Sequence, residues 1–123
     1  MRSYRRGASH LFCGHWNGSP VEIGVTSVLT AVPRSEVLHA HDYHEYYVVL
    51  EGRAALLVEG ETTPLEAGTV VMVEPGEKHR VSWVDPNAGV RWMIIKQRSE
   101  PDSKRIFEEP GPGARRYCSR SAS

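Results

Sequence analysis

HAHDYHEYYVVLEG, residues 39–52, places three histidines and a glutamate within seven positions, directly before an apolar run that ends in Glu-Gly. In an extended chain, residues of equal parity share a face. His39 and His41 then point to one side, and Glu45 joins them if the chain re-enters a strand after a tight turn at 42–44. Imidazoles and a carboxylate facing an apolar interior are costly unless something satisfies them. A divalent transition metal satisfies all three at once, because neutral imidazole nitrogen and carboxylate oxygen are good ligands for Fe, Mn, Ni, Cu or Zn. Farther along, EPGEKHRV (74–81) sets His79 after a Pro-Gly turn at the start of another strand, from which it can reach the same barrel mouth.

Outward from this stretch, the chain reads as strands. VEIGVTSVLTAV (21–32), EYYVVLEG (45–52), AALLVEG (54–60), GTVVMVEP (68–75), RVSWV (80–84) and VRWMIIKQ (90–97) are β-branched or aromatic runs bounded by turn residues. No segment keeps an apolar 3.6-residue period beyond about two turns. Short strands at such spacing predict an all-β sandwich or barrel. Within 50–68 the pattern predicts successive hairpins, with turns near Gly52-Arg53 and Gly60-Glu61. Residues 1–15 read as an N-terminal arm, 16–107 as the barrel and 108–123 as a flexible tail without apolar periodicity.

At 123 residues the chain has room for one modest core. Lys plus Arg equals Asp plus Glu, so no global field draws in nucleic acid or a membrane surface. The arginine clusters at 2, 5, 6 and at 115, 116, 120 lie in terminal segments and read as solvated. Cys13 and Cys118 stand far apart, which argues against a disulfide framework and suits a reducing compartment. No stretch has the length of a membrane span and no apolar core follows the basic start, so the expected location is the cytoplasm.

The spacing resembles that of the cupin superfamily, whose fold is a double-stranded β-helix, a jelly-roll barrel. The first family motif runs His-x-His, three or four residues, Glu, six residues, Gly, and here reads His39, His41, Glu45, Gly52. The second places Gly68, Gly76 and His79 in register. Three positions depart from the pattern: Pro33 for an opening Gly, Glu74 for Pro and Trp83 for Asn. None is a usual metal ligand, so the resemblance implies one divalent metal on His39, His41, Glu45 and His79. Three His and one Glu leave one or two coordination positions open, as a catalytic rather than a closed structural site requires.

A metal-dependent enzyme acting on a small molecule inside the barrel is therefore expected. Fe(II) oxygenation is the first choice, ahead of isomerisation, lyase or rearrangement chemistry at Zn or Mn, with Ni a further candidate metal. A non-enzymatic small-ligand-binding cupin is the competing class; a transcription regulator is disfavoured, because the chain has no room for a helix-turn-helix. Tyr47 shares the parity of Glu45 and is a candidate acid–base residue. Trp83 shares the parity of His79 and is expected to line the substrate space. Either Arg91 or Trp92 must face inward, the former as a carboxylate or phosphate anchor. His44 is read as exposed, and His10 and His15 as surface residues or a lid. Tyr46, Val48 and Leu50 have outward parity with no helix to cover them, so a homodimer is expected.

Overall fold

The computed structural model describes residues 2–29, 37–99 and 105–107. The proposed tail, 108–123, lies outside them. Among the described residues, ten strands form two sheets that share one long strand. They are β1 (Tyr4–Arg6), β2 (Ser9–Cys13), β3 (Glu22–Val28), β4 (His39–Ala40), β5 (Glu45–Val58), β6 (Glu61–Glu66), β7 (Val70–Val73), β8 (His79–Val84), β9 (Val90–Lys96) and β10 (Arg105–Ile106). A single 3₁₀ turn at His15–Asn17 is the only helix among the described residues, and no helix there is long and apolar enough to cross a membrane. The architecture is all-β.

The first half of β5 lies between β9 and β7 in one sheet, and its second half between β8 and β6 in the other. The expected hairpin at Gly52-Arg53 is absent: the strand runs through without a turn. Gly52 takes φ +77°, and a Cβ there would collide with the Gly89 carbonyl oxygen. The glycine serves a bend and a close backbone approach where the chain passes between sheets, not a reversal. The true hairpin is one turn later, where Glu59 and Gly60, both at positive φ, join Val58 to Glu61. β6 was not singled out from its sequence because ETTPLE alternates weakly and contains Pro64, which is tolerated in a strand that pairs on one side only.

The reading of 1–15 as an arm also needs correction. β1 and β2 form an antiparallel hairpin that extends the first sheet beside β3. Between the sheets lie Tyr47, Val49, Ala54, Leu56, Leu65, Val73, Val81, Val84, Val90, Trp92 and Ile94. Burying an aliphatic side chain such as Leu56 or Leu65 contributes about 1.5–3 kcal/mol. Tyr47 is the member of this cluster that packs beside His79.

Candidate metal centre

His39, His41, Glu45 and His79 meet in the interior, all four buried, with one ligand atom from each lying within 4.8 Å of every other. Antiparallel pairing puts His39 opposite His79. His41 follows β4 by one residue, and Glu45 opens β5. Glu45 Oε1 is 2.9 Å from His79 Nε2 and 3.4 Å from His41 Nε2. Two ligands on opposite sides of one ion stand roughly 4.2 Å apart when each bond is about 2.1 Å. The cluster therefore needs only a slight contraction to hold a single ion.

The far side of each ring is already engaged. His39 Nδ1 lies 2.8 Å from the Val37 carbonyl oxygen, and His79 Nδ1 lies 2.9 Å from that of Glu77. His41 Nδ1 lies 3.1 Å from the hydroxyl of buried Tyr43. An Nδ1–H donated to a carbonyl fixes the tautomer and aims Nε2 inward, which is how metal-binding histidines are oriented. The donor set and this outer support both fit a divalent transition metal.

Burial by itself would raise the Glu45 carboxyl. The His79 hydrogen bond and the charges of His41, His79 and Lys96 outweigh that effect and lower it to about 2. Lys96 belongs to this neighbourhood through strand register. It stands opposite Glu45 on one side and Glu22 on the other, so Glu22, Lys96 and Glu45 form one polar row across β3, β9 and β5. Lys96 Nζ is 3.4 Å from Glu22 Oε2, and the carboxylate is 95% buried.

Tyr47 faces inward and is buried, its ring edge-on to His79 at 6.3 Å between centroids and 5.6 Å from Trp92. Trp92 is the inward member of the Arg91–Trp92 pair. Arg91 projects outward and pairs with exposed Glu51 at 3.3 Å, so it is no anchor for a ligand in the barrel. Trp83 is also turned away from the cavity, 46% exposed. The parity argument fails there because β8 is bulged against β5: Leu56 pairs with Val81 but Ala55 pairs with Trp83, and the extra residue reverses the face. His44 lies half-buried against Gln97, away from the cluster. His10 stacks on Phe12 and exposed His15 hydrogen-bonds Ser99, both on the N-terminal elements.

Sequence parity missed Tyr43, which sits in the 42–44 turn where strand rules do not apply. It also missed Lys96, although a signal existed. Once Trp92 is chosen as inward in VRWMIIK, Ile94 and Lys96 must follow it.

Comparison with known proteins agrees with this architecture. Residues 28–96 match the family model described as a cupin domain, more than half of the chain, and the protein belongs to the cupin family. No curated protein matches it. A cupin 2 domain-containing protein from Halorhodospira halophila is similar at TM-score 0.69 and 16% identity, over 85% of this chain and 72% of that one. A cupin 2 conserved barrel domain protein from Salinispora arenicola is similar at TM-score 0.59 and 27% identity, over 72% of each chain. The Streptomyces protein PAC13, solved with uridine, is similar at TM-score 0.62 and 13% identity, over 87% of this chain and 84% of that one.

Proposed function

We propose that this chain is a metal-dependent enzyme acting on a small molecule held in the barrel beside His39, His41, Glu45 and His79. The observation that supports it is the buried convergence of three imidazoles and one carboxylate, with each imidazole braced from behind. Four protein ligands leave room for substrate at the ion. When bound, the metal supplies Lewis-acid chemistry and, as Fe(II), redox chemistry at that open position. Fe(II) oxygenation remains our first reading. Tyr47 packs against His79 beside the site, with Trp92 next to it, so the substrate's apolar part would meet these two rings. We place the protein in the cytoplasm.

A second reading draws on Tyr47. A buried phenol beside a ligand histidine is positioned to hold or deliver a proton at its Oη, which favours a redox-neutral step at Zn or Mn. Metal analysis of the purified protein followed by an O₂-uptake screen separates the two. Oxygen consumption by the Fe(II)-loaded chain supports the first reading. Turnover by Zn- or Mn-loaded protein without oxygen uptake replaces it with the second. In the latter case Tyr47→Phe should lower turnover by about 10²-fold at unchanged metal content. Ligand binding with no turnover under any metal would leave the non-enzymatic class.

A further inference from the structure

The mechanism above leaves unexplained a charged pair, buried Glu22 and half-buried Lys96, in the same cross-strand row as Glu45. Glu22 is 95% buried, and its charged neighbours are Lys96 at 3.4 Å and Arg6 at 3.7 Å. Ser99 Oγ donates to its other oxygen at 3.4 Å. Oε2 accepts no hydrogen bond despite its burial. The Arg6 side chain is 59% exposed and therefore well screened, whereas that of Lys96 is 14% exposed. Buried ion pairs of this kind contribute little net stability, because desolvation offsets the attraction. Their presence on the face that carries a ligand set calls for a different reason.

Charge accounting at the loaded site provides one. A divalent ion with Glu45 leaves one surplus positive charge, since neutral imidazoles add none. Lys96 adds a second, and Glu22 removes it. Two buried carboxylates, half-buried Lys96 and the ion thus sum to a single positive charge in a largely desolvated setting, where an uncompensated charge is expensive. One monoanion neutralises it. Lys96 stands directly opposite Glu45 on the neighbouring strand and shares its inward face.

We propose that Lys96, braced by Glu22, anchors a carboxylate-bearing small molecule at the metal centre. The ligand's acid group lies between the ion and the Lys96 ammonium. This gives the anion-anchoring task, expected of Arg91, to the inward cation of the same strand. It rests on the metal reading above and narrows its substrate class to small carboxylates.

The test uses the full chain loaded with Co²⁺, glycolate as the probe and ethylene glycol as its uncharged counterpart. Cobalt content is measured first, and the visible cobalt spectrum then reports ligand entry. Glycolate should shift the spectrum of the wild type and ethylene glycol should not. Lys96→Gln should keep full cobalt content yet bind glycolate about tenfold to a hundredfold more weakly, as expected for loss of a charged hydrogen-bond donor. Lys96→Arg should recover most of that loss. Glu22→Gln should move the other way and tighten glycolate, because it leaves the pocket with more positive charge. A purely structural pair would shift both variants in the same direction or neither. Full cobalt with equal glycolate binding in wild type and Lys96→Gln overturns the proposal, as does a wild type blind to glycolate. A wild type that takes up no cobalt removes the metal reading itself, and this inference with it.

Discussion

His41 is braced by a side chain, whereas His39 and His79 lean on main-chain carbonyls. The Tyr43 hydroxyl can accept or donate, so it holds the His41 ring less strictly than a carbonyl would and is open to mutation. Tyr43→Phe should weaken metal binding by about tenfold to a hundredfold with little change in fold. Competition against a chromophoric chelator measures it, and an unchanged affinity would show that packing alone orients His41. The ligands also predict a two-stage acid response. Protons compete for imidazole nitrogens below about pH 6, so metal should leave there first. Glu45 has its carboxyl lowered from 4.5 to about 2 in the folded state, so the stability it contributes is complete above 4.5 and is lost as pH falls toward 2. Metal content and circular dichroism followed together through an acid titration should therefore separate, with metal lost before structure. At this scale the ligand set was legible because two spaced motifs place His39, His41, Glu45 and His79. Tyr43 and Glu22 were not. Tyr43 lies in a turn, and Glu22 sits in a strand whose apolar residues, Ile23 and Val25, suggested the opposite face as the buried one.

The element that makes the barrel is β5, which serves both sheets by bending at Gly52. Its reading as two strands with a turn between them was reasonable, since Gly-Arg between apolar runs is a turn signal. Nothing local distinguishes a reversal from a bend that another backbone, here Gly89, must approach closely. Gly52→Ala should cost about 1–2 kcal/mol for the left-handed conformation alone, with the collision against Gly89 adding to it. A chemical-denaturation midpoint equal to wild type would mean that this crossing yields easily. The β8–β9 connection is held by Asp85, whose Oδ1 accepts from the Asn87 and Ala88 amides at 2.8 and 3.1 Å while Oδ2 accepts from Arg53. The two backbone hydrogen bonds and then Arg53 lower its carboxyl below the usual 3.8. Its contribution is thus present above that value and lost as pH falls beneath it. Asp85→Ala should lower Tm at neutral pH, and the gap from wild type should narrow in acid; a gap independent of pH would contradict the role of the charge. The bulge in β8 that turns Trp83 outward belongs here too, because parity rules assume unbroken pairing.

For the whole molecule, the outside of the first sheet carries an apolar pattern. Ile23, Ile95, Tyr46 and Met72 line up in one cross-strand row, and Val25, Met93, Val48 and Val70 in the next. In β3 this outward parity is the more apolar one, since the inward positions are Glu22, Gly24 and Thr26. Val70 and Met72 are 61% and 45% exposed. We propose that two copies of the chain pair through this face, as expected from Tyr46 and Val48. A standard interface covers about 800 Å² on each partner. Light scattering should give twice the chain mass at micromolar concentration. Val48→Glu should shift it to the monomer while leaving metal content intact. A monomeric wild type would reject the pairing.

The central claim is that one ion is held by His39, His41, Glu45 and His79. Elemental analysis of the purified chain beside a His41→Ala/His79→Ala double variant tests it most directly, with circular dichroism to show that the variant retains its β structure. The account predicts one divalent transition metal per wild-type chain and none above background in the variant. Equal metal in both proteins, or a wild type that binds no transition metal when supplied with it, would contradict the account.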